Sequence, residues 1–175
     1  MKRIILFFII FCMNMSFTMH CFPFYKISKI DKEISFACRV MKKVDYNTFK
    51  EFEPFSPYAK DKKNVYYGEK ILKNADVKTF GIIKSSSENI ISEYAYDKNT
   101  VYLYGKEING SDPKTFEVLD PILAKDKNDF YLYGVKLNVE DIDTFEYTIE
   151  EGCFKGKDKK KTYNNSCKLW GNCSY

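Results

Sequence analysis

This chain has little of what catalysis and metal chemistry draw on. It contains a single histidine, His20, at the edge of its N-terminal apolar segment. A Ser-His-Asp or Cys-His arrangement in the folded part is thereby excluded, and so is a multi-histidine metal centre. There is no Cys-x-x-Cys step, and the widely spaced cysteines do not make a zinc site without histidine. The 8 glycines stand singly at turns, so no glycine-rich loop cradles a phosphate. No 3.6-residue apolar pattern persists beyond the N-terminal segment, which leaves no substantial helix. The formal net charge is +4, and +2 without Lys2 and Arg3, too mild to imply nucleic acid.

Carboxylates are plentiful, but their placement points to turns. Asp141/Asp143 and Glu150/Glu151 read as solvated turn residues rather than a general acid and base, which must face each other across a cleft. Asp126, Asn128 and Asp129 lack the Asp-x-Asp-x-Asp-Gly loop of a calcium site. The expectation is a protein that is not an enzyme and holds no cofactor or metal.

What the chain has instead is a phrase used three times. Asp61-Lys62-Lys63-Asn64-Val65-Tyr66-Tyr67-Gly68 returns as Asp97-Lys98-Asn99-Thr100-Val101-Tyr102-Leu103-Tyr104-Gly105, and again as Asp126-Lys127-Asn128-Asp129-Phe130-Tyr131-Leu132-Tyr133-Gly134. A second phrase starts 15 residues after each Asp: Asp76-Val77-Lys78-Thr79-Phe80, Asp112-Pro113-Lys114-Thr115-Phe116 and Asp141-Ile142-Asp143-Thr144-Phe145. The constant spacing assigns both phrases to one unit. The units start 36 and then 29 residues apart, so length varies after Thr-Phe, where Ser85-Ser86-Ser87-Glu88-Asn89 reads as an inserted loop tip. Degraded copies flank the array: Asp45-Tyr46-Asn47-Thr48-Phe49 preceded by Asp31-Lys32 and Phe36, and Asp158-Lys159 with Tyr163. Atypical outer units are what a capped repeat stack requires.

Asp-Lys-Asn between aromatic and β-branched runs predicts a hairpin turn. Tyr94 to Tyr96 leads in, Thr100 to Tyr104 leads out, and Gly105 reverses the chain. Ile71, Ile108 and Leu137 are single apolar anchors just past that reversal in their respective units. Asp-Pro-Lys-Thr-Phe has the grammar of a one-turn helix, with Asp as cap and Pro at the first position. Phe49, Phe80, Phe116 and Phe145 bury a ring at one place in every unit. The predicted fold is all-β: tandem β-hairpin repeats in an elongated meander or solenoid-like stack with short one-turn helices. A lone hairpin is marginal, so units must lean on each other.

Over residues 31–163 these phrases resemble the bacterial DKNYY repeat family. Two departures stand out: Lys63 reads as an extra residue before Asn64, and Tyr67, Tyr104 and Tyr133 take the place of an Asn before Gly. The resemblance implies an exported bacterial protein and carries over no catalytic residue.

Met1-Lys2-Arg3 followed by the apolar run Ile4 to Met13 reads as a secretory leader, too short to span a bilayer comfortably, which takes ~20 residues; cleavage and retention as an anchor stay open as alternatives. The organisation is then a signal peptide over 1–18, an N-terminal segment over 19–30, a repeat domain over 31–152 and a Lys- and Cys-containing cap or tail over 153–175. Export permits disulfides, and the tail cluster Cys153, Cys167 and Cys173 is the first candidate, its connectivity open.

The function expected is a structural or protein-interaction module at the cell envelope: periplasmic, surface-bound or secreted. Tyr102, Tyr104, Tyr131 and Tyr133 are the candidate contact residues, and the partner is an envelope protein or a glycan. The alternative is a carbohydrate or cell-wall binding module using exposed tyrosines, set against the scarcity of tryptophan, with only Trp170 outside the repeats. Lys155 to Lys161 is a candidate contact for an anionic surface.

Overall fold

The computed structural model describes residues 21–84, 93–150 and 153–164. The predicted leader over 1–18, the Ser85–Asn89 loop tip, Cys167 and Cys173 lie outside the described residues. The described chain is a stack of five small antiparallel sheets, each a meander whose neighbours in sequence are neighbours in the sheet. The first sheet holds β1 (Tyr25–Ser28), β2 (Glu33–Phe36) and β3 (Arg39–Val40). The second holds β4 (Lys50–Glu51), β5 (Tyr58–Lys60), β6 (Val65–Tyr67) and β7 (Lys70–Ile71). The third holds β8 (Gly81–Ile82), β9 (Tyr94–Tyr96), β10 (Val101–Leu103) and β11 (Lys106–Ile108). The fourth holds β12 (Glu117–Asp120), β13 (Leu123–Lys125), β14 (Phe130–Leu132) and β15 (Val135–Lys136). The fifth holds β16 (Glu146–Glu150), β17 (Cys153–Lys157) and β18 (Thr162–Asn164). The predicted all-β stack of hairpin repeats is the observed architecture. Of the Thr-Phe phrases, Ile142–Thr144 is a 3₁₀ turn, and all four close an i→i+3 hydrogen bond back to the Asp carbonyl.

Alternation along the strands explains why sheets stack. Side chains on a strand point to opposite faces in turn, and here both faces are apolar. Ala95 and Tyr102 pack back against Tyr58 and Val65 of the second sheet, while Tyr94, Val101, Leu103 and Ile108 pack forward against Ala124 and Tyr131 of the fourth. The same partition recurs, with Ala59 and Tyr66 facing the first sheet and Leu123, Phe130 and Leu132 facing the fifth. The core is therefore four successive layers between sheets, each one alanine and one tyrosine deep on its forward sheet until the last, where Gly156 pairs with Tyr163.

The outer faces break the pattern. In the first sheet, Lys26 and Ser35 occupy the register of Ala95 and Tyr102. In the fifth, Lys155 and Thr162 stand where the second sheet has Tyr58 and Val65, and both are exposed. Polar residues thus replace the apolar pair at both ends of the described stack, with Val40 exposed beside Ser35 on the first. β1 and β17–β18, on the far side of the bounds at 30 and 152, are strands of the stack, because each terminal sheet needs them to cover its neighbour's apolar face.

Candidate functional site

Each sheet has two sides, and they do different work. On one side the Asp-Lys-Asn turns meet the Thr-Phe phrases. Asp97 shows the arrangement. Its Oδ1 accepts from the N–H groups of Asn99 (2.7 Å) and Thr100 (3.0 Å), and its Oδ2 from the N–H of Asp76 (2.8 Å) and the hydroxyl of Tyr102 (3.0 Å). The Lys98 N–H donates to the Thr79 hydroxyl at 3.1 Å, the Lys98 ammonium pairs with Asp76 at 2.9 Å, and Phe80 packs on Tyr102 with centroids 5.3 Å apart. Asp61 repeats this with Asp45, Thr48 and Tyr66, and Asp126 with Asp112, Thr115 and Tyr131. Asp158 repeats it with Asp141, Thr144 and Tyr163, adding the Glu140 N–H.

This clamp corrects the assignment of both phrases to one unit. A Thr-Phe phrase docks on the next Asp-Lys-Asn turn along the chain, so it joins two sheets; the constant 15-residue interval reflects the fixed hairpin lying between. Asp158, a degraded copy by sequence, makes the same hydrogen bonds, with Lys161–Glu140 as the nearby ion pair. Asp31 makes none: it is exposed and bonded to Ser28. The four saturated carboxylates leave no oxygen for chemistry. Burial alone would raise the Asp61 carboxyl, but the Tyr66 hydroxyl and the N–H groups of Asp45, Lys63 and Asn64 outweigh it and hold it below the usual range. The same balance lowers Asp158.

Lys63 is not an extra residue. All four turns close between Asp and the third residue on: Asn64, Thr100, Asp129 and Lys161. Lys63 is therefore equivalent to Asn99. The real difference lies one hairpin later, where Gly68 takes the place of Tyr104 and Tyr67 that of Leu103. By the same register the anchor equivalent to Ile108 and Leu137 is Leu72, whose N–H donates to Val65 as that of Leu137 does to Phe130, while Ile71 pairs with Tyr66.

The opposite side carries the hairpin turns after β6, β10 and β14 and the connections entering β5 and β13; residues 85–92, before β9, lie outside the described residues. Successive turns rest on one another: a Cβ on Gly105 would lie 2.6 Å from Tyr67, and one on Gly68 would lie 2.9 Å from Phe36. Connection length varies here, with residues 52–57 entering β5 and 121–122 entering β13. We call this the loop side.

The four candidate tyrosines divide between the two sides. Tyr102 and Tyr131 are buried, which removes them from any contact surface; their rings fill the layer and their hydroxyls close the clamps. Tyr104 and Tyr133 are 53% and 36% exposed at equivalent turn positions on the loop side. Both have positive φ, +51° and +50°, as does the Gly after each. This is the backbone of an Asn-Gly turn, where tyrosine costs about 1–2 kcal/mol that asparagine largely avoids. Phe55 shares the side and the anomaly: it is 67% exposed at φ +64° and meets Phe24 edge-on at 5.9 Å. Sequence reasoning missed Phe55, because nothing around it marks a positive-φ turn.

Next to Tyr104 lies a half-buried carboxylate. The Glu93 carbonyl accepts from the Tyr104 N–H (3.3 Å) and the Tyr58 hydroxyl (3.0 Å), and its Oε2 accepts from the Tyr67 hydroxyl at 3.5 Å. Burial raises Glu93 above the ordinary carboxylate range. Burial, then Glu93 and Tyr104, push Tyr67 up to about 12.

One disulfide lies outside the tail cluster. Cys21 and Cys38 form a disulfide that ties the N-terminal segment to the β2–β3 turn. Cys153 is itself disulfide-bonded, and the remaining two members of the tail cluster lie outside the described residues. Among Lys155 to Lys161, Lys157 pairs with Glu146 and Lys161 with Glu140, on the last sheet and its clamp and away from the loop side.

The profile of the DKNYY family matches residues 28–167. No curated protein and no solved structure matches the chain.

Proposed function

The chain belongs to the DKNYY family, and from that premise we propose that it is a non-enzymatic, exported interaction module that meets its partner with the loop side of the stack. The observation carrying this reading is the pair Tyr104 and Tyr133, exposed aromatics held at a backbone cost in two consecutive sheets. Strain that stability does not require is a mark of function. Phe55 extends the row, and variable connections on one side of a repeat stack are characteristic of a binding face. The clamp side has no such freedom, since its carboxylates and hydroxyls are consumed in holding sheets together. A disulfide at the N-terminal end supports an oxidising compartment.

The second reading, a glycan-binding module, draws on the same side. Equivalent turns of stacked sheets sit about 10 Å apart, a ladder on which rings of an extended polymer stack. The test is retention of the purified protein on envelope protein fractions and, separately, on purified wall glycan. The variant Phe55→Ser/Tyr104→Asn/Tyr133→Asn is expected to lose retention on one of the two, and Lys62→Ala/Lys127→Ala to keep it. Equal retention by the loop-side variant and the unmodified protein on both supports would reject the loop side as the contact surface.

A further inference from the structure

We propose that Glu93, Tyr67 and Tyr104 form a subsite for an organic ammonium group on the partner. This rests on the loop side being the contact surface and names one chemistry it reads. Glu93 closes the strand end opposite Tyr104, its carbonyl accepting from the Tyr104 N–H, and the Tyr104 ring at that turn is exposed. The contact to its carboxylate is the Tyr67 hydroxyl, a neutral donor at 3.5 Å, and among the described residues it makes no ion pair. Tyr67 is fixed from behind by Tyr58, at 4.9 Å between centroids, and by the close approach of Gly105. Tyr58 is fixed in turn, donating to the Glu93 carbonyl and accepting from the Gly105 N–H at 2.9 Å. The site is therefore preorganised: a half-buried carboxylate with no ion pair among the described residues, on an anchored phenol that also feels the exposed Tyr104.

That combination suits an alkylammonium better than a metal ion. A hard cation needs six or more oxygen ligands, and here one carboxylate and two phenols are offered. An alkylated nitrogen sheds its water readily and gains from both a carboxylate and aromatic faces. A lysine side chain of an envelope protein and an amine-bearing wall polymer carry a primary ammonium, which is more strongly hydrated, so a quaternary ion serves as the first probe and a primary alkylammonium as the second.

The experiment is titration of the full chain with tetramethylammonium chloride at constant total chloride, sodium being replaced, read by the Tyr ring signals in NMR. A saturable shift is expected in the unmodified protein, absent when sodium replaces the ligand. Glu93→Gln is expected to weaken it at least 10-fold and Tyr104→Asn several-fold, with strand signals unchanged as the check on folding. A linear response, or a shift that Glu93→Gln leaves intact, would overturn the subsite. A silent titration alongside loss of partner retention in the Phe55/Tyr104/Tyr133 variant would remove the ammonium site and leave the contact side standing. In the opposite case, saturable binding with full retention, the subsite survives and the broader reading falls. n-Butylammonium and N-acetylglucosamine as further probes separate a lysine-like group from a neutral sugar; saturation by the sugar alone would also overturn the proposal.

Discussion

At the residue scale, one aspartate per clamp carries the joint between sheets. Its legibility was partial. That Asp61, Asp97 and Asp126 begin a turn could be read, because Asp before Lys-Asn accepts from its own turn. That the second oxygen reaches the preceding Thr-Phe phrase could not, since spacing along a chain does not say which copies touch. These groups set the pH limits. Asp61 and Asp158 are held low in the folded state, and Asp76 is lowered to about 2, led by its Lys98 and Thr79 partners. Depressed carboxyls favour the fold above their unfolded value near 4, and that contribution is lost as pH falls through the folded values. The tyrosines act at the other end: burial first raises Tyr67 and Tyr94 to about 12, and Tyr58, Tyr66 and Tyr102 are raised as well. Raised phenols contribute fully below pH about 10 and lose that contribution as pH climbs. Unfolding midpoints in urea are therefore expected to hold flat between pH about 5 and 9 and to fall on both flanks. A protein equally stable at pH 2.5 and pH 7 would count against the charged clamps.

At the scale of elements, the hairpins were legible and their register was not. Val101 and Leu103 against Tyr102 announced a strand with two faces, and both faces proved buried. Two tyrosines that look alike in the sequence part in the structure. Tyr102 lies mid-strand and turns inward, while Tyr104, two residues on, sits past the strand end at the turn, so alternation no longer places it. The turns also distinguish two kinds of glycine. Gly105 has φ +71° and the Tyr67 side chain against its α-carbon, whereas Gly110 has φ +76° and open space around it. Gly110→Ala is expected to cost only the left-handed penalty, about 1–2 kcal/mol. Gly105→Ala adds an overlap worth about 1–3 kcal/mol, because the previous hairpin must move. Chemical denaturation of the two variants should rank them in that order; equal losses would mean that successive turns do not rest on each other.

At the scale of the molecule, the stack is a one-dimensional array with sealed ends. Its repeat character was legible from the phrases; its seals were not, because Lys155 and Thr162 look ordinary until register sets them beside Tyr58 and Val65. Lys155→Tyr with Thr162→Val is expected to expose an apolar sheet face and drive concentration-dependent self-association in sedimentation velocity. A strictly monomeric double variant would show that the fifth sheet is not a cap. The proposed contact role implies a division of labour, with the Asp clamps on one side of the stack and strained, exposed aromatics on the other. Asp97→Asn places an amide among donors and is expected to cost about 2–4 kcal/mol. Tyr104→Asn gives the turn its favoured residue and is expected to leave stability unchanged or raise it by up to about 1 kcal/mol. Urea unfolding of these two variants beside the unmodified protein decides the matter. Opposite or clearly separated effects are what the account requires, and a loss on Tyr104→Asn as large as that on Asp97→Asn would contradict it.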